Sequence, residues 1–186
     1  MNALTRPQRA RLRIEDFLLL DRSGAFGDAA KTELIDGDIY CMNSQFQRHS
    51  FVKSQIAFRL QEVIQGSGLN LVVLVEAAVA MPPFNMPEPD VTVMQGPLGS
   101  GAVPLAAALL LVEVSDSTLD IDMGRKADIY ARHGVAEYWV ADIEGRRIVI
   151  HTGPAADGYA RRDDHMMGTP LTARTLGLTI PTDGLV

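Results

Sequence analysis

Hydrophobic residues crowd together in one short stretch of the chain and recur at regular intervals in others. In the run LAAALLLVEVS, from Leu105 to Ser115, apolar residues follow one another almost without a break. Such a run predicts a strand that is buried on both faces of a sheet. The alanines within it would also allow a helix, but Val112 and Val114 are β-branched and favour the strand.

A long helix is predicted from Ser50 to about Gln65. Apolar residues recur there at the spacing of one helical face, and Gly66 and Gly68 follow as a stop signal. The apolar residues are Phe51, Val52, Ile56, Leu60, Val63 and Ile64. Near the N-terminus, RIEDFLLL predicts a short helix. A further helix is predicted to end at His133.

The start and stop of that further helix are marked by polar residues and a glycine. Asp120 or Asp122 can cap its N-terminus, and Gly134 can end it.

Several other runs are typical of strands. TELIDGDIYCM predicts a hairpin that turns at Asp36-Gly37, and AEYWVADIEGRRIVIHT predicts another that turns near Glu144-Gly145. LNLVVLVEAAVAM predicts a mostly apolar strand, and PDVTVM predicts a short alternating strand. The C-terminal part is predicted to be polar and irregular as far as LTARTLGLTI, whose pattern is weak.

Strands and helices in this order predict an α/β fold with a central mixed sheet flanked by helices. The chain has 186 residues, of which 47% are hydrophobic, so it can bury a sizeable core. With no repeat or linker in the sequence, we expect a single domain over residues 1–186.

Charge and cysteine content narrow the classes of protein. The net charge of -6 argues against binding polyanions through bulk electrostatics, so nucleic acid would need a local basic surface. RPQRARLR, from Arg6 to Arg13, is one candidate, although a solvated and frayed N-terminal arm is the simpler interpretation. Cys41 is the only cysteine, and no segment resembles a signal peptide or a membrane span. We therefore expect a cytoplasmic protein that does not bind membranes.

Glu113 interrupts the apolar strand near its C-terminal end. A buried carboxylate is costly unless it is paired or binds a metal ion. Asp90 follows Pro89 and opens the strand DVTVM, so it too would lie at the end of an element. Two such acids can supply oxygen ligands to Mg²⁺, whose other ligands are water and phosphate oxygens.

A cation is expected close to these acids. Lys126 lies in the predicted helix after the Glu113 strand, with Asp122 one turn earlier and Tyr130 one turn later on the same face. Other chemistry finds less support. The four histidines lack zinc-site spacing, Ser115 and the other serines lack a nucleophile elbow, and GPLGSG matches no phosphate-binding loop.

The order of these residues resembles a known family, the Uma-type "putative restriction endonuclease" family of the PD-(D/E)xK nuclease superfamily. The resemblance rests on Pro89-Asp90, EVS at Glu113–Ser115, Lys126, Tyr130 and GVAEYWVAD at Gly134–Asp142. It extends over about residues 32–150. A restriction-endonuclease-like fold is what it implies.

The resemblance also implies roles for individual residues. Asp90 and Glu113 would be metal ligands, helped by the carbonyl of Val114. Ser115 stands where the superfamily's parent pattern has lysine, so the lysine role would pass to Lys126, which would position the attacking water or stabilise the phosphorane. Asp122 and Tyr130 would support it, and Glu33 and His49 match further family positions.

The function implied is a Mg²⁺-dependent (or Mn²⁺-dependent) endonuclease that hydrolyses phosphodiester bonds in DNA, and by analogy a homodimer. Two alternatives stay open. The chain could be a catalytically inactive module that keeps the nuclease fold and associates with nucleic acid or a regulatory partner, or its acids and lysine could form a structural ion-pair network. Metal-dependent cleavage separates the first alternative from the enzyme, and metal binding separates the second.

Overall fold

Six strands form one central mixed sheet in the computed structural model, which describes residues 9–27, 31–42 and 44–186. The order across the sheet is β10-β9-β8-β7-β5-β3. The pairing of β7 with β8 is parallel, and the other neighbours are antiparallel. The strands are β1 Lys31–Ile35, β2 Asp38–Met42, β3 Leu71–Val75, β4 Val79–Ala80, β5 Val91–Gln95, β6 Val103–Pro104, β7 Ala108–Ser115, β8 Glu137–Asp142, β9 Arg147–Ala155, β10 Gly158–Met166, β11 Leu171–Ala173 and β12 Leu178–Ile180.

Helices cover both faces of this sheet. They are α1 Ile14–Arg22, α2 Gln47–Ser67, α3 Leu119–Ile121 and α4 Ala127–Arg132, with a π-helical turn at Asp122–Lys126 between α3 and α4. On one face Ile56 and Leu60 of α2 pack against β5, β7 and β8. On the other face Ile129 and Tyr130 of α4 pack against β7, β8 and β9. The predicted α/β fold with a central mixed sheet flanked by helices is confirmed.

The strand that carries Glu113 is central and buried. β7 lies between β5 and β8, and its last six residues are buried. Val112 and Val114 face the α2 side, whereas Leu111 faces the α4 side. Because side chains alternate along a strand, Glu113 points to the α4 side, toward Lys126 and Tyr130.

Both predicted hairpins and the long helix are confirmed. β1 and β2 turn at Asp36 and Gly37, whose φ angles of 51° and 82° suit a tight primed turn. β8 and β9 pair across the Glu144-Gly145 turn. The long helix α2 is a few residues longer than predicted, and it ends at Gly68, which adopts the left-handed conformation that glycine accepts most easily.

Three predicted features differ in the structure. The helix predicted to end at His133 begins with α3 at Leu119, after Thr118, so neither Asp120 nor Asp122 is its N-cap. LNLVVLVEAAVAM is not one strand, because the chain bends at Glu76, which has a φ of 52°, and divides into β3 and β4. The polar segment from Gly158 to Met166 is a strand rather than irregular, since its charged side chains face solvent at the sheet edge.

The basic N-terminal stretch is engaged by the β1–β2 turn. Residues 6–8 of it lie outside the described residues. Arg9 pairs with Asp38, and Arg11 pairs with Asp36 at 3.4 Å. The amide of Leu12 donates to the carbonyl of Gly37 at 3.1 Å. The described part is therefore bonded to the fold and its cations are neutralised, so it is neither frayed nor a free basic surface.

Of the helices in the described residues, none carries an apolar run long enough to cross a bilayer.

Candidate active site

Strand register brings Asp90 and Glu113 side by side. β5 runs antiparallel to β7 with Val91 opposite Val112, so the residue before Val91 faces the residue after Val112. Opposed residues of such a pair have Cβ atoms about 4.5–5.5 Å apart and point to the same face. Asp90 and Glu113 are 2% and 3% exposed. Two carboxylates thus lie together at the end of the sheet; the sequence predicted that each of them lies at the end of an element.

Asp90 is held by three donors. The amide of Gln45 donates to Oδ1 at 3.0 Å, the backbone N–H of Val114 donates to Oδ2 at 2.8 Å, and His49 Nε2 lies 3.2 Å from Oδ2. Burial would raise the pKa of Asp90, but the hydrogen bond and charge of His49 and the Val114 N–H together hold that pKa below its usual value. Asp90 is therefore a carboxylate at neutral pH.

Glu113 is in a different environment. Lys126 Nζ and the Tyr130 hydroxyl donate to its Oε1 at 3.0 and 2.8 Å. Burial, together with the charges of Asp122, Asp90 and Glu33, raises the pKa of Glu113 to about 8 against the opposing charge of Lys126. Both donors reach Oε1, and within the described residues Oε2 has no such partner.

Lys126 lies between two acids. Its Nζ is 3.0 Å from Glu113 Oε1 and 3.0 Å from Glu33 Oε2. Burial alone would lower the pKa of Lys126, but the charges of Glu113, Glu33 and Asp122 raise it above its usual value. Lys126 is therefore an ammonium ion that donates hydrogen bonds and does not act as a base.

The π-helical turn sets the position of Lys126. An additional residue per turn in such a segment rotates the side chains that follow it, and π turns occur frequently at functional sites. Asp122 and Lys126, its first and last residues, are both buried. Asp122 accepts a bond from Thr118 at 2.6 Å, and burial raises its pKa. It is not a partner of Lys126 in hydrogen bonding.

The remaining predicted residues lie around this centre. Glu33, on β1, is 1% exposed and also accepts a bond from the Glu88 amide at 2.9 Å. Ser115 is buried at the end of β7. A cavity of about 270 Å³ opens beside these groups. It is lined by Lys31, Cys41, Met42, Ser44, Gln45, Phe46, His49, Asp90, Glu113, Val114, Asp116, Ser117, Thr118, Asp122 and Lys126.

Sequence reasoning missed three polar residues near the centre. Lys31 lies 3.8 Å from Glu33, and alternation along β1 could have revealed it because the two residues share a face. Gln45 bonds to Asp90 from the loop before α2, where no periodic pattern exists. Lys53 of α2 is 7% exposed, and it donates to Gln45 and to Glu76. Its place in an otherwise apolar helix face was the available signal.

A family profile described as Uma2, "Putative restriction endonuclease", matches residues 14–183. The chain belongs to the Uma2 family. The match extends beyond the range of about 32–150 in which the sequence motifs resemble the family, and it includes α1 and the β11–β12 hairpin.

A solved structure has the same fold as this Uma2 chain. It is the crystal structure of a "putative nuclease belonging to DUF820" from Anabaena variabilis ATCC 29413. The similarity has a TM-score of 0.72 and 13% sequence identity, and it covers 94% of this chain and 97% of that chain. At this identity the similarity shows the fold alone. A comparison with curated proteins gives no match.

Proposed function

We propose that this Uma2 protein is a Mg²⁺-dependent endonuclease that hydrolyses phosphodiester bonds in DNA. The observation that carries the proposal is the pair Asp90 and Glu113 on adjacent strands at a cavity, with Lys126 bonded to Glu113. Membership of the family and the nuclease-like fold support a nuclease. Metal and substrate are inferred from the chemistry of the residues.

The donor set fits Mg²⁺. Within residues 9–27, 31–42 and 44–186, no group of three or more His, Cys, Asp or Glu side chains is arranged to hold an ion. Mg²⁺ does not need one, because it commonly binds through one or two carboxylates plus water and phosphate oxygens. Asp90, Glu113 and the Val114 carbonyl would hold it. When bound, the ion supplies an activated water and offsets charge on the phosphate.

The side chains around the two acids have separate tasks in this proposal. His49 and Gln45 orient Asp90 and keep it ionised. Tyr130, whose pKa burial and Glu113 raise well above its usual value, stays protonated and fixes the Glu113 carboxylate. Lys126 places a permanent positive charge beside Glu113, where it orients the attacking water and stabilises the additional negative charge of the phosphorane.

The test is cleavage of supercoiled and linear DNA by purified protein in Mg²⁺ or Mn²⁺. We expect Asp90→Ala, Glu113→Ala and Lys126→Ala to abolish nicking. Glu62→Ala removes an exposed acid from α2 away from the cavity and should leave activity unchanged. Equal inertness of wild type and variants on DNA and on an RNA control would count against catalysis on nucleic acid.

One observation favours a structural ion-pair network instead. Lys126 bonds to Glu33 as well as Glu113, as it would if its task were to neutralise buried acids. Titration calorimetry with Mn²⁺ separates the two functions. A nuclease site binds the ion and loses that binding in Asp90→Ala, whereas a network that only stabilises the fold binds none.

We also propose that the protein is cytoplasmic and that it forms a homodimer. Cleavage of the two strands of DNA favours an assembly with two active sites. The two edges of the central sheet differ. β10 carries Arg161, Arg162, Asp163 and Asp164, whereas β3 is entirely apolar and its Val75 is 47% exposed. Charged edges resist strand pairing and apolar edges allow it, so β3 is the candidate dimer edge.

Sedimentation velocity tests the dimer. Val75→Lys at the β3 edge should shift the protein toward monomer. Met166→Lys, a change at a 58% exposed residue on the opposite edge, should not. A wild type that sediments as a monomer at all concentrations would refute the dimer.

A further inference from the structure

Phe46 occupies a position that neither helix capping nor core packing explains. It is the N-cap of α2 and makes no side-chain hydrogen bond there. Asn, Asp, Ser and Thr are the residues that stabilise this position, because their oxygens accept the unpaired N–H groups of the first turn. Phe46 is also 81% exposed, so its ring adds little to the core. Residues that break a local rule without structural gain are found at functional sites, so the surroundings of Phe46 decide what it does.

The position of Phe46 connects it to the candidate active site. Phe46 lines the same cavity as Asp90 and Glu113. It lies between Gln45 and His49 along the chain, the two residues whose side chains hold Asp90. Cys41 and Met42 also line this cavity. The cavity therefore combines acidic groups that suit a metal-bound phosphate with apolar groups that do not.

Electrostatic attraction alone gives this protein little affinity for DNA, so another source of affinity is needed. The chain has a net charge of -6. Arg48, next to the start of α2, is paired with Glu144 at 2.9 Å, and Lys126 is paired with Glu33 and Glu113. Binding of DNA through phosphate contacts is weak on such a surface. Stacking of bases on aromatic rings is independent of charge and tolerates any base.

We propose that Phe46 is a base-stacking residue that packs against the nucleobase next to the phosphate held at Asp90 and Glu113. The inference rests on the proposed function of this site and adds a substrate class to it. In a duplex the faces of a base are covered by its neighbours, so a protein ring reaches one only where the base is unstacked. The substrate is accordingly DNA in which the base beside the held phosphate is unpaired, either in a single strand or in a duplex that opens locally where each of its two strands is cut.

The first experiment measures binding of single-stranded oligonucleotides that contain 2-aminopurine, with the full-length chain in Ca²⁺, which takes the same class of oxygen ligands as Mg²⁺. Phe46→Ala should weaken affinity by about 5- to 150-fold, the range of one lost stacked base, and should abolish the change in 2-aminopurine fluorescence. Phe46→Trp should bind like wild type. Phe58→Ala is the matched control, because Phe58 is a 63% exposed phenylalanine of the same helix that does not line the cavity.

A second experiment shows whether the ring contacts a base. An abasic site is placed at successive positions of the strand. At one position it should weaken wild-type binding as much as Phe46→Ala does, and it should cost Phe46→Ala nothing further, because the same contact is already absent. The ratio of wild-type to Phe46→Ala affinity should also stay constant as salt is raised, whereas a lost phosphate contact would change it.

Several results would overturn the inference. They are equal affinities of Phe46→Ala and Phe58→Ala, a full effect of Phe46→Ala on every abasic strand, and a wild type that binds no single-stranded DNA.

Failure of the proposed nuclease gives different results. A protein that binds through Phe46 but does not cleave in Mg²⁺ or Mn²⁺ keeps the stacking site and loses the enzyme. A protein that cleaves normally with Phe46→Ala keeps the enzyme and loses the stacking site.

Discussion

Lys126 is a cation that is almost completely removed from solvent and surrounded by carboxylates. It is 3% exposed, and its two bonded partners, Glu33 and Glu113, are 1% and 3% exposed. A buried ion pair adds little net stability when complete, because desolvation opposes the Coulomb attraction. Breaking it is costly, because the remaining charges stay buried without a partner. The site therefore couples the stability of the fold to the presence of each of its charges.

Replacing Lys126 should reveal this coupling. Lys126→Met leaves Glu33 and Glu113 facing each other without a cation, and we expect the free energy of unfolding to fall by about 3–5 kcal/mol in urea denaturation. Adding Glu113→Gln should recover part of the loss. Arg48→Met removes an ion pair whose side chains are 61% and 69% exposed, and should cost less than about 1 kcal/mol. Similar losses in the two single variants would contradict the buried-pair argument.

Lys53 acts through Gln45 on Asp90, one of the proposed metal ligands. It donates to the Gln45 oxygen, which turns the Gln45 NH₂ group toward Asp90. Groups that orient metal ligands typically change metal affinity 10- to 100-fold when they are removed. We expect Lys53→Met to weaken Mn²⁺ binding by about that factor in titration calorimetry, since Gln45 is then free to turn away.

Glu76→Gln is the control for that experiment. It keeps an acceptor for Lys53 at a residue that is itself exposed, so Mn²⁺ affinity should change little. Wild-type affinity in a folded Lys53→Met protein would show that Gln45 holds Asp90 without help.

Among the elements, adjacent strands decide which side chains meet. The antiparallel pair β5–β7 sets Asp90 against Glu113, and the π-helical turn before α4 brings Lys126 to the same face.

On the antiparallel pair β8–β9, Tyr138 lies opposite His151, and the two rings stack with their centroids 5.4 Å apart. Tyr159 of β10 packs on the same histidine at 5.5 Å. A titratable ring is therefore enclosed within the sheet.

Acid should destabilise the protein through His151. Burial, and after it the charge of Arg162 on β10, lower the pKa of this histidine, although Asp164 opposes the shift. The unfolded chain takes up a proton at His151 near pH 6.5, whereas the folded protein does not. The stability that the neutral His151 contributes is therefore complete above pH 6.5 and is lost as the pH falls from there through the folded pKa. His151→Phe, which keeps the ring packing, should lose less unfolding free energy between pH 7.5 and 5.5 than wild type in urea denaturation.

An equal loss of stability in both proteins over that pH range would assign the acid sensitivity to other groups.

At the scale of the whole molecule, charge is distributed so that few cations are available to a polyanion. Many described arginines are engaged in ion pairs, as Arg11 and Arg132 are with Asp36, and Arg147 is with Asp142 and Asp164. With a net charge of -6, the protein cannot rely on an extended basic groove. If the protein is the proposed nuclease, its affinity for DNA comes from the metal-bound phosphate and from local contacts.

The dependence of DNA binding on salt should therefore be shallow. We expect fewer than about four phosphate contacts, and so a slope of log K against log[salt] shallower than about -3, measured by fluorescence anisotropy in Ca²⁺. Steeper dependence in the wild type would indicate a basic surface that the ion pairs of the described residues do not suggest.

Local patterns determined most of the elements. The apolar run of β7, the turn dipeptides of two hairpins and the helical spacing of α2 each follow from backbone preferences and side-chain alternation, which act over a few residues. β10 was not predicted, because a charged strand at a sheet edge has no apolar alternation by which a local pattern could reveal it. The π-helical turn was not predicted either, because it is set by the tertiary position of Lys126 and not by a local preference of the sequence.

The sequence by itself determined that Asp90 and Glu113 lie at strand ends, because proline and the apolar run set those ends locally. It also indicated that Lys126 and Tyr130 share a helix face. Only the tertiary structure decided that Lys126 bonds to Glu113 and Glu33, and that Gln45 and Lys53 support Asp90. Such contacts join residues far apart in the chain, and they depend on strand register and helix packing, which no local pattern contains.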